Sequence, residues 1–264
     1  ANKEVKTHAD EKGCWELQIT TPAASFEEYT LTLTDGEQSV TLQHLLIGEV
    51  WLCAGQSNMV MPLNGFDYCP ISDSNNVIAD APNHPGIRMV TIKPTVKLSP
   101  QEYAEGSWQQ PTTENAPKFS AAAYHYALTL QRTLQIPIGV ITCAWGGSRV
   151  EGWLPKEILQ TYKDEDLTLI GSDKTPVYLQ SMLMYNGILY PCHKYTIKGF
   201  IWYQGESNVR SSRTYAERLA TMVKHWRSIW EQGDLPFYYV ETVPFACEYK
   251  EDGYIGAVSY THLT

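Results

Sequence analysis

The sequence lacks long apolar runs and an excess of basic residues, and its first six residues contain no apolar signal core. Its longest apolar runs span only a few residues, far fewer than the roughly 20 that a membrane-spanning helix needs. Among its 264 residues, 20 Lys and Arg stand against 29 Asp and Glu, which gives a formal net charge of −9. Because the apolar runs are short, we predict no membrane segment. Nucleic-acid binding needs clustered basic residues, so we predict no nucleic-acid partner either.

Paired-cysteine motifs are also missing. The six cysteines are scattered, without a C-x-x-C pair or a histidine at metal-ligand spacing, so we predict no metal site. Cys53 and Cys143 lie in apolar, strand-like runs, which favours buried free thiols. Because the cysteines number six, disulfide pairing stays open in an exported protein. What the sequence does have is 43% apolar and 12% aromatic residues, enough for a packed core.

The first 45 residues read as a small β module. Residues 14–20 and 29–34 alternate apolar and polar side chains, as half-buried strands do. Asp35-Gly36 supplies the turn chemistry of a hairpin into residues 39–42. These strands are too few to close a sandwich, so we predict a partial, β-sandwich-like module over 1–45.

From residue 46 the pattern changes to an α/β one, in which apolar strands alternate with amphipathic helices. This alternation predicts a parallel sheet covered on both faces, with ligand sites beyond the carboxyl ends of its strands. We expect Ser120 to cap the first long helix, which Pro137 ends. The predicted strands are 46–54, 87–92, 138–145, 198–203 and 237–243, and the predicted helices are 119–135 and 214–230.

Three of these strands run into small and polar residues: GQSNM (55–59), WGGS (145–148) and QGESN (204–208). A serine just after a buried strand can present its hydroxyl to the crevice, beside free backbone N–H groups that stabilise an oxyanion. Each site alone is more simply read as a helix cap. Three coincident sites with paired glycines favour a catalytic centre.

The residues alone do not decide which serine is the nucleophile, since Ser57 and Ser207 both lie in a G-x-S-N motif. The α/β-hydrolase elbow G-x-S-x-G is absent, because Met59 and Val209 occupy the second glycine position. We therefore disfavour a lipase-type fold.

Three blocks of sequence, 48–59, 146–155 and 197–208, resemble the sialate O-acetylesterase-like branch of the SGNH (GDSL-like) hydrolases. The resemblance runs in unbroken order from about residue 14 to residue 249. It implies a three-layer α/β/α, flavodoxin-like SGNH domain over 46–256, preceded by the β module.

The resemblance also implies site residues. Ser57 is then the nucleophile, and its own N–H, the Gly147 N–H and the Asn208 side-chain amide form the oxyanion hole. No metal or organic cofactor is implied. We expect three further side chains to brace the loops or contact substrate, namely Gln56, Gln204 and Glu206.

One family element is missing, since the general base comes from a D-x-x-H block that this sequence does not contain. Asp80 and His84 have the wrong spacing and precede the second block, and His262 lacks an acidic partner. We therefore leave the base unknown, expect the SGNH domain to be truncated and take 257–264 as a non-native tail. We also expect at most residual esterase activity.

The favoured function is a serine carboxylesterase that removes O-acetyl groups from acetylated sugars through an acetyl-Ser57 intermediate. Acetylxylan esterase and sialate esterase are not separated by these motifs. The missing base favours a rival interpretation, a non-catalytic carbohydrate-binding module on the same fold. Family habit suggests a secreted or periplasmic protein, and the oligomeric state is not indicated.

Overall fold

The computed structural model describes residues 4–242, and the chain divides after Gly48 into two compact units. The first unit contains an antiparallel hairpin of β1 (Ser25–Thr34) and β2 (Ser39–Ile47). The predicted turn joins them, with Asp35 Oδ1 accepting hydrogen bonds from the N–H groups of Glu37 at 2.9 Å and Gln38 at 2.7 Å. The strand predicted over 14–20 is wrong, because this segment is irregular and mostly exposed.

The second unit begins at Glu49 and alternates strands with helices. Its predicted secondary structure is confirmed to within a few residues at each end, except that the last strand is shorter. Short 3-10 turns and one π-helical turn, Tyr185–Leu189, join the main elements. The main elements are β3 (Glu49–Gly55), α1 (Ser57–Val60), α2 (Ser74–Asp80), β4 (Ile87–Thr91), α3 (Ala121–Leu134), β5 (Ile138–Ala144), α4 (Lys156–Leu159), β6 (Gly199–Tyr203), α5 (Ser212–Trp230) and β7 (Phe237–Tyr239).

A five-stranded parallel sheet in the order β4-β5-β3-β6-β7 forms the centre of this unit. This confirms the predicted α/β class with its parallel sheet. Counted within the sheet alone, the order is 2-3-1-4-5, which differs from the 2-1-3-4-5 order of flavodoxin itself. A segment that includes Gln109 covers the outer edge of β4. Gln109 exchanges backbone hydrogen bonds of 2.9 and 2.8 Å with Met89 of β4.

The two faces of the sheet bury separate cores, because side chains alternate along each strand. On β3, Trp51 and Cys53 pack in the core that also contains the buried face of α3. Leu52 and Ala54 point to the other face and pack in the core that contains α5. The predicted three-layer arrangement is therefore confirmed.

Capping of α3 follows the prediction. Ser120 Oγ accepts a hydrogen bond from Ala123 N–H at 3.2 Å, which satisfies one of the free N–H groups of the first turn. The helix ends at Gln135, which adopts a left-handed conformation (φ 55°) two residues before Pro137. The position of the cap matters for the site, since Ser120 lies at the carboxyl edge of the sheet beside α1, where it contacts Met59.

The five cysteines within residues 4–242 are free thiols. Burial raises the pKa of the Cys53 thiol well above its usual range. No helix in this part of the chain is long and apolar enough to cross a bilayer. The tail predicted over 257–264 lies outside the described residues, and the domain bounds 1–45 and 46–256 stay predictions.

Candidate active site

Ser57 lies at the carboxyl end of the central strand β3, as the first residue of α1. Gly55 makes this turn possible: its φ is +150°, and a Cβ there would overlap the backbone carbonyl of Tyr203 on β6. Neighbouring strand ends are fixed by backbone hydrogen bonds from Gln56 N–H to Tyr203 O and from Trp145 N–H to Gly55 O, each 3.0 Å. The ends of β3, β5 and β6 therefore meet at one place.

The glycine loop after β5 lies directly against Ser57. A Cβ built on Gly146 would stand 4.0 Å from both Cα and Cβ of Ser57. The next residue, Gly147, has a left-handed φ of +76°. Within residues 4–242, the backbone N–H groups of Ser57 and Gly147 make no hydrogen bond. Both are therefore donors without an acceptor in the described part of the chain.

The Ser57 side chain is half-buried, and in the described chain its hydroxyl makes no hydrogen bond. A free hydroxyl beside N–H donors of this kind is the arrangement that acyl transfer requires, because the tetrahedral intermediate develops its negative charge next to the nucleophile.

The loop after β6 is tied to Ser57 through side chains that the sequence singled out. Gln56 Oε1 accepts hydrogen bonds from the N–H groups of Gly205 at 3.4 Å and Ser207 at 3.3 Å. On the other side of Ser57, Asn58 Nδ2 donates to Glu206 Oε1 at 2.6 Å. These contacts brace the turn that presents the serine.

Gln204 connects the second and third loops. Its Nε2 donates to the Ser148 carbonyl at 3.0 Å and to Asn208 Oδ1 at 2.8 Å, while its Oε1 is buried and has no partner among the described residues. The side chain is almost completely buried, so in this structure it braces loops.

Asn208 is fully buried and its side-chain amide is engaged on both sides. Oδ1 accepts from the Val150 N–H at 2.9 Å. Nδ2 donates to the Glu151 carboxylate at 2.9 and 3.2 Å and to Ser211 Oγ at 3.3 Å. Donation to an oxyanion would require one of these partners to be exchanged, so this role of Asn208 stays a prediction.

Sequence reasoning missed the ion-pair network behind Asn208. Glu151 has no exposed surface, and Arg218 of α5 pairs with it. Arg218 also pairs with Asp164 at 2.6 Å and with Glu165 at 3.6 Å. A signal was available, because Arg218 follows Tyr215 by three residues on the apolar stripe of α5, where a charge needs a buried partner.

Glu206 is the carboxyl group that links directly to the residue after Ser57. Burial is the main cause that raises its pKa above the ordinary value. One oxygen accepts from Asn58, and the other is buried and makes no hydrogen bond within residues 4–242.

Two histidines of the parallel-sheet unit, His84 and His225, hydrogen-bond residues other than Ser57. His84 bonds Asp80 at 2.8 Å and precedes β4, at the amino edge of the sheet, whereas Ser57 follows the carboxyl end of β3. Ile87 is in register with Ile138 and, through it, with Glu49, so the strand alone separates the two edges by about 20 Å at roughly 3.3 Å per residue. His225 bonds the Tyr185 hydroxyl at 2.9 Å, and His262 lies outside the described residues.

Within residues 4–242, no three His, Cys, Asp or Glu side chains are grouped so that they could hold a metal ion.

Comparison with known proteins agrees with the architecture. The family model for "Carbohydrate esterase, sialic acid-specific acetylesterase" matches residues 47–259. The sialate O-acetylesterases of Homo sapiens and Pongo abelii are each 27% identical over 241 residues, covering 87% of this chain and 45% of theirs. A carbohydrate acetylesterase from Xanthomonas citri superposes with a TM-score of 0.76 at 30% identity, covering 88% of this chain and 50% of that one. The chain thus spans about half the length of these relatives.

Proposed function

Since the chain belongs to the carbohydrate esterase family of sialic acid-specific acetylesterases, we propose that it is a serine carboxylesterase that removes O-acetyl groups from acetylated sugars. The observation that carries this proposal is made within residues 4–242: the Ser57 hydroxyl makes no hydrogen bond there, and it lies beside two backbone N–H groups without acceptors, those of Ser57 and Gly147.

In this proposal the Ser57 oxygen attacks the acetyl carbonyl, and the N–H groups of Ser57 and Gly147 bind the resulting oxyanion. Collapse of the intermediate breaks the bond to the sugar oxygen, which leaves with a proton as the free hydroxyl. Water then attacks the acetyl-Ser57 ester and releases acetate. Asn208 is the third donor that the family resemblance implies.

The described residues offer no group that could act as the general base. No histidine within residues 4–242 hydrogen-bonds Ser57, and a triad that loses one member keeps only about 10³–10⁴-fold catalysis over water. We therefore expect the 264-residue chain alone to turn over slowly.

Chemical rescue tests this proposal on the chain as it is. A fluorophosphonate probe should label Ser57 slowly, and added imidazole should accelerate labelling by supplying the base in trans. Hydrolysis of p-nitrophenyl acetate should respond in the same way. In Ser57→Ala both signals should disappear.

Ser207→Ala is the matched control, because Ser207 lies in the second G-x-S-N motif and only its backbone N–H contacts Gln56. It should keep the rescued labelling. Labelling that persists in Ser57→Ala would refute the choice of nucleophile. A wild-type chain that stays unlabelled with imidazole would favour the non-catalytic carbohydrate-binding module.

A further inference from the structure

Two buried thiols on the same face of the sheet lie in contact. Cys143 is near the carboxyl end of β5, and Cys192 ends the 3-10 turn Tyr190–Cys192 that follows the π-helical turn. Their Sγ atoms are 4.0 Å apart. The backbone carbonyl of Ile188 lies 3.7 Å from the first sulfur and 3.5 Å from the second. The fold thus brings together two thiols that are 49 positions apart in the sequence.

The other cysteines of residues 4–242 lie apart from this pair. Cys53 on β3 is also fully buried, but it packs in the core that contains α3, whereas Cys143 packs in the core that contains α5. Cys14 and Cys69 are exposed. Among the cysteines of this part of the chain, Cys143 therefore has Cys192 as its contact.

A cavity of about 340 Å³ borders Cys192. The partly exposed side chains of Trp108 and Tyr195 line it as well, so it opens to solvent. At about 30 Å³ per water molecule, the space corresponds to about eleven waters. This is room for a small organic molecule to reach Cys192 and for the side chain of Cys192 to change its rotamer.

We propose that Cys143 and Cys192 form a disulfide by exchange with a low-molecular-weight disulfide, and that this bond stabilises the strand that leads to the glycine loop beside Ser57. A disulfide is about 2.05 Å long, so the two sulfur atoms must approach each other by about 2 Å. Cys192 lies on a short turn beside a cavity, which gives it more freedom for this movement than a strand residue has.

The exchange takes two steps. The Cys192 thiol loses its proton to solvent, and its sulfur attacks the small disulfide, which gives a mixed disulfide and releases one small thiolate that takes up a proton. The Cys143 sulfur, deprotonated in turn, attacks the Cys192 sulfur and releases the second small thiol. Two cysteine thiols are oxidised, and one small disulfide is reduced to two thiols.

The order of the two attacks follows from the surroundings of each thiol. Burial, and after it the contact with Cys192, raises the pKa of the Cys143 thiol well above its usual range. Because the thiolate is the attacking form, we assign the first attack to Cys192, which borders the cavity, and the second to Cys143.

The disulfide would act on the candidate site through the end of β5. Two residues after Cys143, the Trp145 N–H donates to Gly55 O at 3.0 Å, and the following Gly146 lies against Ser57. A bond between positions 49 residues apart removes conformational freedom mainly from the unfolded chain. The oxidised chain should therefore unfold at a higher urea concentration than the reduced chain.

Peptide mass spectrometry of the folded 264-residue chain tests the assignment. The chain is incubated with 2-hydroxyethyl disulfide, the remaining thiols are alkylated, and the proteolytic peptides are compared before and after reduction by dithiothreitol. We expect a cross-linked peptide that contains Cys143 and Cys192 and is lost on reduction.

Variants separate this pair from the other thiols. Cys192→Ala should lose the cross-linked peptide, and Cys192→Ser makes the same comparison with a side chain of nearly the original size. Cys53→Ala is the matched control, because it removes an equally buried thiol on the other face of the sheet. It should retain the cross-link.

Urea unfolding then measures the effect of the bond. The midpoint of the oxidised wild-type chain should lie about 1 M above that of the reduced chain, and Cys192→Ala should show no such difference. A folded chain in which Cys143 and Cys192 stay open to alkylation or stop at the mixed disulfide, or in which Cys143 pairs with another cysteine, would overturn the disulfide. A cross-linked chain that unfolds at the same urea concentration as the reduced chain would overturn its stabilising role.

Discussion

The Glu151 carboxylate depends on charged and polar partners for its place in the core. It has no exposed surface, and an isolated buried carboxylate costs many kcal/mol. Arg218 compensates this charge. The Asn208 amide donates to Glu151 Oε2 at 2.9 Å, and the Arg149 guanidinium lies 3.8 Å from the same oxygen. Asn208 Oδ1 also accepts a hydrogen bond from the Val150 N–H. The Asn208 side chain, held by Glu151, therefore fixes the loop that carries Gly147.

Replacing Arg218 by Met should therefore destabilise the fold by about 3–5 kcal/mol, because the buried Glu151 would lose its closer cation and keep only Arg149 at 3.8 Å. Urea unfolding followed by tryptophan fluorescence measures the loss. The double variant Arg218→Met with Glu151→Gln should recover part of it, since no buried charge is then left unpaired. Lys224→Met on the same helix should change stability little, and a single Arg218→Met as stable as this control would contradict the argument.

Single residues also show what could be read from the sequence. Ser57 and the glycine loop could be placed together, because parallel strands bring their carboxyl ends to one edge. The pairing of Glu151 with Arg218 could not be predicted, because these two residues are 67 positions apart and charged residues are usually exposed. Sequence pattern therefore placed Ser57 beside the glycine loop and missed the contacts that hold that loop.

At the level of elements, the link between α1 and the loop after β6 depends on Glu206. Asn58 and Glu206 join these two segments at 2.6 Å. Burial raises the pKa of Glu206 above the unfolded value of 4.5, so the folded state binds more protons than the unfolded state in the interval between the two pKa values. Stability from this group is thus fully present below pH 4.5 and is lost as pH rises through the folded pKa.

Glu206→Gln should remove this fall in stability, because Gln carries no charge and still offers Asn58 an acceptor oxygen. The variant is expected to be more stable than wild type at pH 7 and nearly equal to it at pH 4. Urea midpoints measured from pH 4 to 8 give the two curves. Glu217→Gln, at an exposed position of α5, should follow the wild-type curve, and parallel curves for Glu206→Gln and wild type would disprove the linkage.

The elements that could be predicted from the sequence are those with a buried face. The helices α3 and α5 and the apolar strands were located from periodicity, because their patterns describe real buried faces. Residues 14–20 have the alternation of a strand but no partner strand to pair with, and alternation without pairing does not make a sheet. The order of the strands in the sheet could likewise not be predicted from the sequence pattern, since it depends on contacts between distant segments.

At the scale of the whole molecule, burial is concentrated in one unit. Every fully buried side chain in the described chain lies at residue 51 or later. The hairpin β1–β2 has no buried residue along its strands, and an isolated two-stranded hairpin is marginally stable at best in water. The stability of the parallel-sheet unit should therefore come from its own two cores.

Removal of residues 1–48 should consequently leave a chain that folds cooperatively, with a free energy of unfolding within about 1 kcal/mol of the full chain's, since the lost hairpin is itself marginal. Seven of the eight tryptophans remain in residues 49–264, so fluorescence reports the same cores in both proteins during urea unfolding. Leu52→Ala in the shortened chain should cost about 2–5 kcal/mol, which shows that the measurement detects damage to the core. A shortened chain that aggregates, or that loses its cooperative transition, would show that the first 48 residues contribute to the stability of the parallel-sheet unit.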